Sequence, residues 1–265
     1  MFKRAIAVLM LTAIVLCLCS CSEKEANSDR NSIGSQDTAV LLNSISYPLK
    51  QSEDMGQEYI DSFIFLGEST TYHLKNRGVL SGGSNTTQVW GTKSGTLMLD
   101  ASTHSCRIVY PETNEEIDVF EAMRRKKPKY MLLTFGLNGA SANISKGEQY
   151  FKSCYEHLID TLLEASPNTC IILQSCFPVA KNMDMSSFSL GVNTLNEYID
   201  IINGWTMSLA AERGLGYLNT AEILKDNDGA LFEKYQVGDG YHLTKEAYIK
   251  IIEYIRNHGY TGDKT

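Results

Sequence analysis

The sequence is short of positive charge and lacks several motifs that identify familiar chemistries. Its 24 lysines and arginines stand against 31 aspartates and glutamates, and the net charge of −7 argues against a broad nucleic-acid surface. It has no P-loop, no G-x-G-x-x-G after the first predicted strand and no H-E-x-x-H. Nucleotide chemistry and the common zinc-protease pattern therefore have no support, and no nucleic-acid partner is expected.

The N-terminus has the pattern of a bacterial export signal. A basic pair precedes an apolar run over residues 5–18, which is too short to span a membrane comfortably. The next residues, Leu18-Cys19-Ser20-Cys21, resemble a lipobox, and the small Ser20 favours cleavage before Cys21 over cleavage before Cys19. We expect residues 1–20 to be a lipoprotein signal peptide and the extracytoplasmic protein to be lipid-anchored to the bacterial cell membrane through Cys21. An ordinary signal peptide or a membrane anchor is the alternative.

Four of the seven cysteines lie beyond this segment, and none of them forms a C-x-x-C pair: Cys106, Cys154, Cys170 and Cys176. This spacing disfavours a zinc site, and no metal or other cofactor is expected. In an exported protein four cysteines allow three disulfide pairings, but each lies among apolar residues, where a buried thiol is equally suitable. The sequence leaves both states open.

Composition divides the remaining chain into two parts. Residues 21–57 are rich in serine, glutamate, aspartate, asparagine and glutamine with little apolar periodicity, which predicts a flexible tether. Residues 58–260 are predicted to form one domain. The overall content of 43% hydrophobic and 21% charged residues is typical of a packed protein and excludes a wholly disordered or collagenous chain.

Apolar runs alternate with amphipathic helices in the predicted domain. Strands are predicted at 60–66, 87–90, 130–135, 171–173 and 215–218, and helices at 70–76, 117–126, 146–165, 192–210 and 245–257, the last with Thr244 as its N-cap. Continuously apolar strands separated by helices predict an α/β fold in which a parallel sheet is covered on both faces. A separate alternating pattern predicts a hairpin that pairs residues 96–100 with residues 107–110.

Polar or glycine-rich segments follow the predicted strands. Ser69 follows the first strand, the stretch Gly91 to Gly95 follows the second, Asn138 follows the third, and Asp239 and His242 share the loop before the last helix. Because ligands bind at the carboxyl ends of parallel strands, these residues are expected to meet. A hydroxyl, an imidazole, a carboxylate and amide donors are the groups that acyl transfer needs.

Three of these segments resemble the sequence blocks of the SGNH, or GDSL-type, hydrolases, in the order of that family. They are Phe65-Leu66-Gly67-Glu68-Ser69, Gly136-Leu137-Asn138 and Asp239-Gly240-Tyr241-His242. The resemblance extends from Tyr59 to about His258. It implies a three-layer α/β/α sandwich with a central parallel sheet of flavodoxin-like topology and a serine hydrolase that uses no cofactor. The G-x-S-x-G elbow of the unrelated α/β-hydrolase fold is absent.

The resemblance also implies roles for individual residues. Ser69 is the nucleophile and His242 its general base, and Asp239, three residues before the histidine, is placed to orient the imidazole. The oxyanion is held by the amide of Ser69, by the side chain of Asn138 and by the amide of a glycine in the second block. His73, four residues after Ser69, is a weaker alternative for the base.

Three positions leave questions open. Gly95 is preferred over Gly91 as the second-block glycine because serine and threonine flank it. Glu68 and Gly139 each stand where the family usually has aspartate. Both positions support loops, and neither side chain transfers a proton. We therefore expect these two departures from the family pattern to alter substrate specificity and loop geometry.

These observations predict an extracytoplasmic serine esterase that removes acetyl or other short acyl groups from carbohydrate. Its partners are an acylated small molecule or glycan and, through the lipid anchor, the membrane. A glycan O-acyltransferase and a non-catalytic surface-binding lipoprotein with a decayed site are the alternatives. Trp90 is a candidate for stacking on a sugar ring, whereas the apolar context of Trp205 predicts a core position.

Overall fold

The computed structural model describes residues 46–186 and 190–260. The predicted signal peptide, the lipidation site Cys21 and the greater part of the predicted tether lie outside the described residues. Within the part described, no helix is long and apolar enough to cross a membrane. Cys106, Cys154 and Cys176 are thiols rather than halves of disulfides.

Five parallel strands form the central sheet. In chain order the strands of the described residues are β1 (Phe63–Gly67), β2 (Val89–Trp90), β3 (Arg107–Tyr110), β4 (Glu115–Asp118), β5 (Tyr130–Thr134), β6 (Cys170–Gln174) and β7 (Gly216–Leu218). The central sheet has the order β2-β1-β5-β6-β7, and β3 and β4 stay outside it. Counted by its own members, the sheet has the 2-1-3-4-5 order of flavodoxin-like folds. The predicted parallel sheet is confirmed.

Seven α-helices precede, connect or follow the strands of the sheet within the described residues. They are α1 (Gly56–Asp61), α2 (Ser69–Asn76), α3 (Val119–Lys126), α4 (Ala140–Lys146), α5 (Glu148–Ala165), α6 (Val192–Arg213) and α7 (Lys245–Arg256). The helix predicted at 146–165 is α5, which begins two residues later at Glu148, because Gly147 has a φ of 87° that helices do not adopt. Lys146 ends the preceding helix α4, which the sequence did not predict. Thr244 caps α7 as predicted, with its hydroxyl accepting from the N–H of Ala247.

Alternate residues of each strand face two separate hydrophobic layers. In β1, Ile64 and Leu66 belong to the layer that α3, α5 and α6 cover. Phe63 and Phe65 point the other way, into the layer that α1, α2 and α7 cover. The strand period of two therefore buries both faces, and the predicted three-layer α/β/α sandwich is confirmed.

Residues 107–110 form a hairpin, but with residues 115–118 instead of the predicted residues 96–100. β3 pairs with β4 in antiparallel fashion, with Ile108 opposite Ile117, and Asn114 adopts a φ of 60° in the turn between them. Closing this short turn costs less chain entropy than closing the longer loop from residues 96–100. As a consequence α3 begins at Val119 instead of residue 117, and residues 96–100 lie beside the site described below.

The chain contacts the domain ahead of the boundary predicted at residue 58. Leu49 is only 8% exposed, and its N–H donates to the carbonyl of Tyr217 on the edge strand β7 at 2.9 Å. Asp54 accepts a hydrogen bond from Arg256 of α7 at 2.8 Å. An edge strand offers unpaired backbone groups, and Leu49 satisfies one of them. The part of the chain that packs on the sheet therefore includes the end of the segment predicted as a tether.

Candidate active site

The predicted site residues lie on separate segments at the carboxyl ends of the central strands. Ser69 is the first residue of α2, two positions after the end of β1. Asn138 lies between β5 and α4, and Asp239 and His242 lie in the loop before α7. β1 is flanked by β2 on one side and by β5 on the other, so the site occupies the point where the strand order reverses.

A chain of hydrogen bonds joins three of these side chains. The Oγ of Ser69 lies 3.0 Å from Nε2 of His242, although 173 residues separate the two positions. The Nδ1 of the same imidazole lies 2.7 Å from Oδ2 of Asp239. Both distances are in the range for a nucleophile, its base and the group that orients the base. The arrangement can pass a proton from the serine hydroxyl to the imidazole.

The surroundings of Asp239 favour its charged form. Burial opposes ionisation, but the backbone N–H groups of His242 and Tyr241 donate to Oδ1 at 2.9 and 3.1 Å. The hydrogen bonds outweigh the burial, and the pKa of Asp239 lies below its ordinary value. A carboxylate at this position keeps the hydrogen of the neutral imidazole on Nδ1 and leaves Nε2 facing Ser69.

Two rings pack against the imidazole of His242. The ring of His73 stacks on it with a centroid distance of 4.3 Å, and the ring of Tyr241 lies 4.1 Å from it. Burial, and then the proximity of His242, lower the pKa of His73, which favours the neutral ring. His73 therefore lies at the site, but the hydrogen bond of the Ser69 hydroxyl goes to His242.

Two of the predicted oxyanion donors, the backbone N–H of Ser69 and the side-chain amide of Asn138, point at one oxygen atom. The backbone N–H of Ser69 donates to Oγ1 of Thr96 at 3.1 Å, and Nδ2 of Asn138 donates to the same atom at 2.9 Å. Nδ2 of Asn138 also donates to the carbonyl of Leu97 at 2.8 Å. Thr96 belongs to the segment that was predicted as a hairpin strand.

The two candidate glycines both lie against the ring of Tyr72. A Cβ on Gly91 would come within 2.8 Å of that ring, and one on Gly95 within 3.0 Å. Gly95 has a φ of 74°, and its N–H donates to the carbonyl of Thr92 at 3.0 Å, which closes a tight turn. The N–H of Gly95 therefore donates its hydrogen bond within its own loop. Its assignment as the third oxyanion donor stays a prediction.

Glu68 holds the loop that carries Asn138. Its buried carboxylate accepts hydrogen bonds from the backbone N–H groups of Gly136, Leu137 and Asn138 at 2.8, 3.2 and 3.0 Å. Burial raises the pKa of Glu68 to about 7, although these three donors oppose the rise. The predicted loop-supporting position is thus occupied by a side chain that fixes the backbone of Asn138, the predicted oxyanion donor, and of the two residues before it.

Comparison with known proteins identifies the family of the chain. The model of the GDSL-like lipase/acylhydrolase family matches residues 65–249. The chain belongs to this family. No curated protein matches the chain.

Several solved structures are similar to this family member. One described as a platelet activating factor from Streptococcus pneumonia is 17% identical, with a TM-score of 0.52 over 85% of this chain and 99% of that chain. A GDSL-like lipase from Bacteroides thetaiotaomicron is 16% identical, with a TM-score of 0.48 over 82% of this chain and 92% of that one. The periplasmic domain of a lipopolysaccharide acetyltransferase from Salmonella ser. Paratyphi A is also 16% identical, with a TM-score of 0.48 over 84% and 95% of the two chains. At these identities the first similarity shows the shared fold.

An open groove of about 700 Å³ adjoins the predicted oxyanion donor Asn138 of this GDSL-type site. Thr96, Asn138 and Gly139 line one part of it, and residues 97–106 supply the rest, including Met98, which is 47% exposed. Asp100 contributes a carboxylate whose pKa is lowered, first of all by the hydroxyl of Ser102. The groove therefore combines an apolar thioether with a negative charge and several hydroxyl groups.

Sequence reasoning missed Thr96 and misjudged Trp90. Thr96 was assigned to a strand, and no family block marks it, so only its contacts with Ser69 and Asn138 reveal it. Trp90 is 1% exposed within the layer that also contains Leu66 and is not available to stack on a sugar. Trp205 packs against the same layer, as expected.

Proposed function

We propose that the protein is a serine esterase of the GDSL-like family, with Ser69 as nucleophile, His242 as general base and Asp239 as the group that orients the base. The observation that carries this proposal is the continuous set of hydrogen bonds from Ser69 Oγ through His242 to Asp239, at 3.0 and 2.7 Å. The geometry also argues against a decayed site, because each of the three side chains contacts its expected partner.

The reaction follows from these contacts. Ser69 Oγ attacks the ester carbonyl carbon while its proton passes to Nε2 of His242, and the carbonyl π electrons move to the oxygen, which becomes an oxyanion. Collapse of this intermediate expels the alcohol, which takes the proton from His242. Water then attacks the acyl-serine with the same base, and the acid is released as Ser69 recovers its hydrogen. Asp239 stabilises the imidazolium at each stage without accepting the proton.

The oxyanion is stabilised by the backbone N–H of Ser69 and the side-chain amide of Asn138. Both already point at one oxygen, at 3.1 and 2.9 Å, which are suitable distances for oxyanion donors. Ser69 is also the first residue of α2, so the positive end of that helix faces the developing charge. Glu68 keeps the Asn138 loop in place.

The proposed substrate is a short acyl ester, acetyl above all, of a carbohydrate. The groove of about 700 Å³ beside Asn138 lies within the usual size range of small-molecule sites, roughly 300–1,000 Å³. Hydroxyl groups and the carboxylate of Asp100 suit an uncharged, hydroxyl-rich alcohol, and the negative charge disfavours substrates that carry phosphate near the ester.

Active-site labelling tests the esterase proposal. The purified full chain is treated with a fluorophosphonate probe, and the adduct is located by peptide mass spectrometry. We expect a single modified peptide that contains Ser69, with no labelling of the Ser69→Ala variant and normal labelling of Ser94→Ala, an exposed serine in a neighbouring loop. An unlabelled wild-type protein, or an adduct on another serine, contradicts the proposal.

A substrate series tests the acyl group and the acceptor. Nitrophenyl acetate, butyrate and octanoate compare chain lengths, and acetylated oligosaccharides report release of acetate. We expect kcat/KM to fall as the acyl chain grows and acetate to appear in solution. Transfer of acetyl to an added, unacetylated oligosaccharide in preference to water identifies the acyltransferase instead.

The proposed location rests on residues 1–21, which resemble a lipoprotein signal. We propose that the mature protein begins at a lipidated Cys21 and functions outside the cytoplasm, held by acyl chains. Cys21→Ala should release or misprocess the protein, whereas Cys19→Ala should leave it in the membrane fraction. An unmodified N-terminal peptide in the wild type contradicts the lipid anchor.

A further inference from the structure

The groove beside Asn138 is much larger than the acyl group of the proposed substrate. Its volume is about 700 Å³, and Thr96, Asn138 and Gly139 line the part next to the site. An acetyl group extends only one carbon beyond the ester carbonyl and fills a small fraction of this space. Most of the groove is therefore left for the alcohol part of the ester.

Met98 supplies an exposed apolar surface to this groove. The residue is 47% exposed, and its sulfur lies against Gly139, since a Cβ built on that glycine would come within 3.0 Å of it. Gly139 has a φ of 76°, which favours glycine, and it stands where the family usually has aspartate. The groove next to Asn138 therefore presents a thioether where an aspartate would present a charge.

Asp100 supplies a carboxylate oxygen that is free to accept a hydrogen bond. The backbone N–H and the hydroxyl of Ser102 both donate to Oδ1, at 2.8 and 2.6 Å. Among the described residues no group donates to Oδ2. The hydroxyl of Ser102, more than any other group, holds the pKa of Asp100 below its ordinary value, so the group is charged at neutral pH. Because a carboxylate is planar, the bonds to Oδ1 also fix the position of Oδ2.

One buried threonine holds the backbone of Met98 and Asp100 together. Thr103 is 3% exposed, and its hydroxyl donates to the carbonyl of Met98 and accepts from the N–H of Asp100, each at 2.8 Å. The N–H of Thr103 also donates to the carbonyl of Asp100 at 3.1 Å. These bonds fix the turn before any ligand binds, which lowers the entropy that binding costs.

A sugar ring matches both features of this turn. The C–H groups of its ring form an apolar face that can pack on the Met98 thioether, and its hydroxyls can donate to Asp100 Oδ2. A long acyl chain could also pack on Met98, but it would cover the carboxylate without giving it a donor, which is unfavourable. An acidic sugar would be repelled by Asp100. The pair therefore favours an uncharged sugar.

We propose that Met98 and Asp100 are the specificity-determining residues for the alcohol part of the substrate. The Met98 thioether packs on the face of an uncharged sugar ring, and Asp100 Oδ2 accepts a hydrogen bond from one of its hydroxyls. Both contacts form away from the reacting ester, so they are present in the bound substrate and in the transition state alike and act on KM. This inference rests on the proposed esterase function.

Two substrates with the same acyl group test the pair. Partly acetylated cellobiose carries an uncharged sugar, whereas ethyl acetate carries an alcohol with no ring and no further hydroxyl. Acetate release by the purified full chain gives the ratio of kcat/KM for the cellobiose ester to that for ethyl acetate. Met98→Ala and Asp100→Asn should each lower this ratio about 10-fold, the loss typical of one missing contact in a binding site. The change should appear in KM for the cellobiose ester, with kcat nearly constant.

Conservative and control variants separate these contacts from a structural role. Met98→Leu keeps an apolar side chain of similar size and should keep the ratio within about 3-fold of wild type. In Asp100→Asn the amide oxygen can still accept from Ser102, while an NH₂ donor replaces Oδ2, so the turn is kept and the acceptor is lost. Met55→Ala and Asp61→Asn are the matched controls and should keep the wild-type ratio. Met55 is 37% exposed, and Asp61 likewise accepts from a serine hydroxyl at 2.6 Å.

The outcomes distinguish the subsite from the esterase. An active wild type whose Met98→Ala and Asp100→Asn variants keep the ratio overturns the subsite and leaves the esterase intact. So does a wild type that hydrolyses ethyl acetate but not acetylated cellobiose. If Met98→Ala lowers kcat/KM for nitrophenyl octanoate and leaves the cellobiose ester unaffected, the groove holds an acyl chain and the subsite is again overturned. A wild type that neither hydrolyses esters nor labels at Ser69 overturns the proposed function and this inference together.

Discussion

The proposed proton path and the proposed oxyanion side of the site meet at Ser69 but are built in different ways. On the proton path, Asp239 and His242 are three residues apart, and one short loop positions them relative to each other. On the oxyanion side, Ser69, Thr96 and Asn138 come from three segments that follow three different strands. The geometry of the proton path therefore depends on one loop, whereas the geometry of the oxyanion side depends on how separate segments pack.

This difference has a consequence for how each half is stabilised. The Asp239 carboxylate receives its hydrogen bonds from residues of its own loop, Tyr241 and His242. The Asn138 loop instead depends on Glu68, which belongs to another segment and is buried at 2% exposure. We expect changes on the proton path to affect chemistry alone and changes on the oxyanion side to affect chemistry, stability or both.

The largest effects are expected on the proton path. Ser69→Ala and His242→Ala should each lower kcat by on the order of 10⁶, and Asp239→Ala by about 10⁴, because an unoriented imidazole retains some basicity. The double variant of Ser69 and His242 should be little worse than either single one, since the groups act as a unit. Steady-state ester hydrolysis measures all four.

His157→Ala is the matched control, because His157 is exposed on α5. Its kcat should equal that of the wild type. A His242→Ala enzyme with nearly normal turnover would contradict the proposed proton path.

Asn138→Ala should have the next largest effect. Loss of one oxyanion donor lowers kcat by about 10²–10³ with little change in KM, because the bond strengthens only in the transition state. Asn193→Ala, an exposed asparagine on α6, serves as the control for loss of an amide. If Asn138→Ala instead abolishes cooperative thermal unfolding, the residue is a structural part of its loop.

Replacing Glu68 should change the pH dependence of stability. The pKa of this carboxyl is about 7 in the folded protein against an ordinary value of 4.5, so the folded state keeps a proton that the unfolded chain releases. The stabilisation that Glu68 contributes through its bound proton is complete below about pH 4.5 and is lost as the pH rises to about 7. The expected loss is on the order of 3 kcal/mol in the free energy of unfolding.

Glu68→Gln removes this titration while keeping the size of the side chain. Urea unfolding of wild type and variant at several pH values between 4.5 and 7 measures the difference. The wild-type curve should fall relative to that of the variant as the pH rises. Parallel curves for the two proteins would show that Glu68 does not titrate in this range.

The smallest effect is expected at His73. Its ring stacks on that of His242 at 4.3 Å, and such a contact contributes about 0.5–1.5 kcal/mol. His73→Ala should therefore lower kcat by at most about 10-fold, and His73→Phe, which keeps a ring, should lower it less. A loss comparable to that of His242→Ala would make His73 the base.

The strands of the central sheet and most helices were predictable because their signals are local, and the residues of the proposed proton path were predictable because they lie in short motifs that resemble those of a known family. Apolar runs such as Tyr130–Thr134 identify the strands, and the three-residue spacing of Asp239 and His242 places them in one loop. Strand β4 was missed, because Glu115–Asp118 is mostly polar and overlaps the helix predicted at 117–126. Residues 146–147 were predicted as the start of α5, but Gly147 separates α5 from α4, a helix that the sequence did not predict.

By itself the sequence determined the α/β class and the five strands of the central sheet, because these depend on periodicity, and the resemblance of its motifs to the blocks of a known family marked Ser69, Asp239 and His242 as candidates. Only the tertiary structure decided which side chains contact the proposed oxyanion donors. Thr96 and Glu68 reach Asn138 from segments 42 and 70 residues away. Contacts between such distant segments depend on loop conformations and packing, which no local pattern encodes.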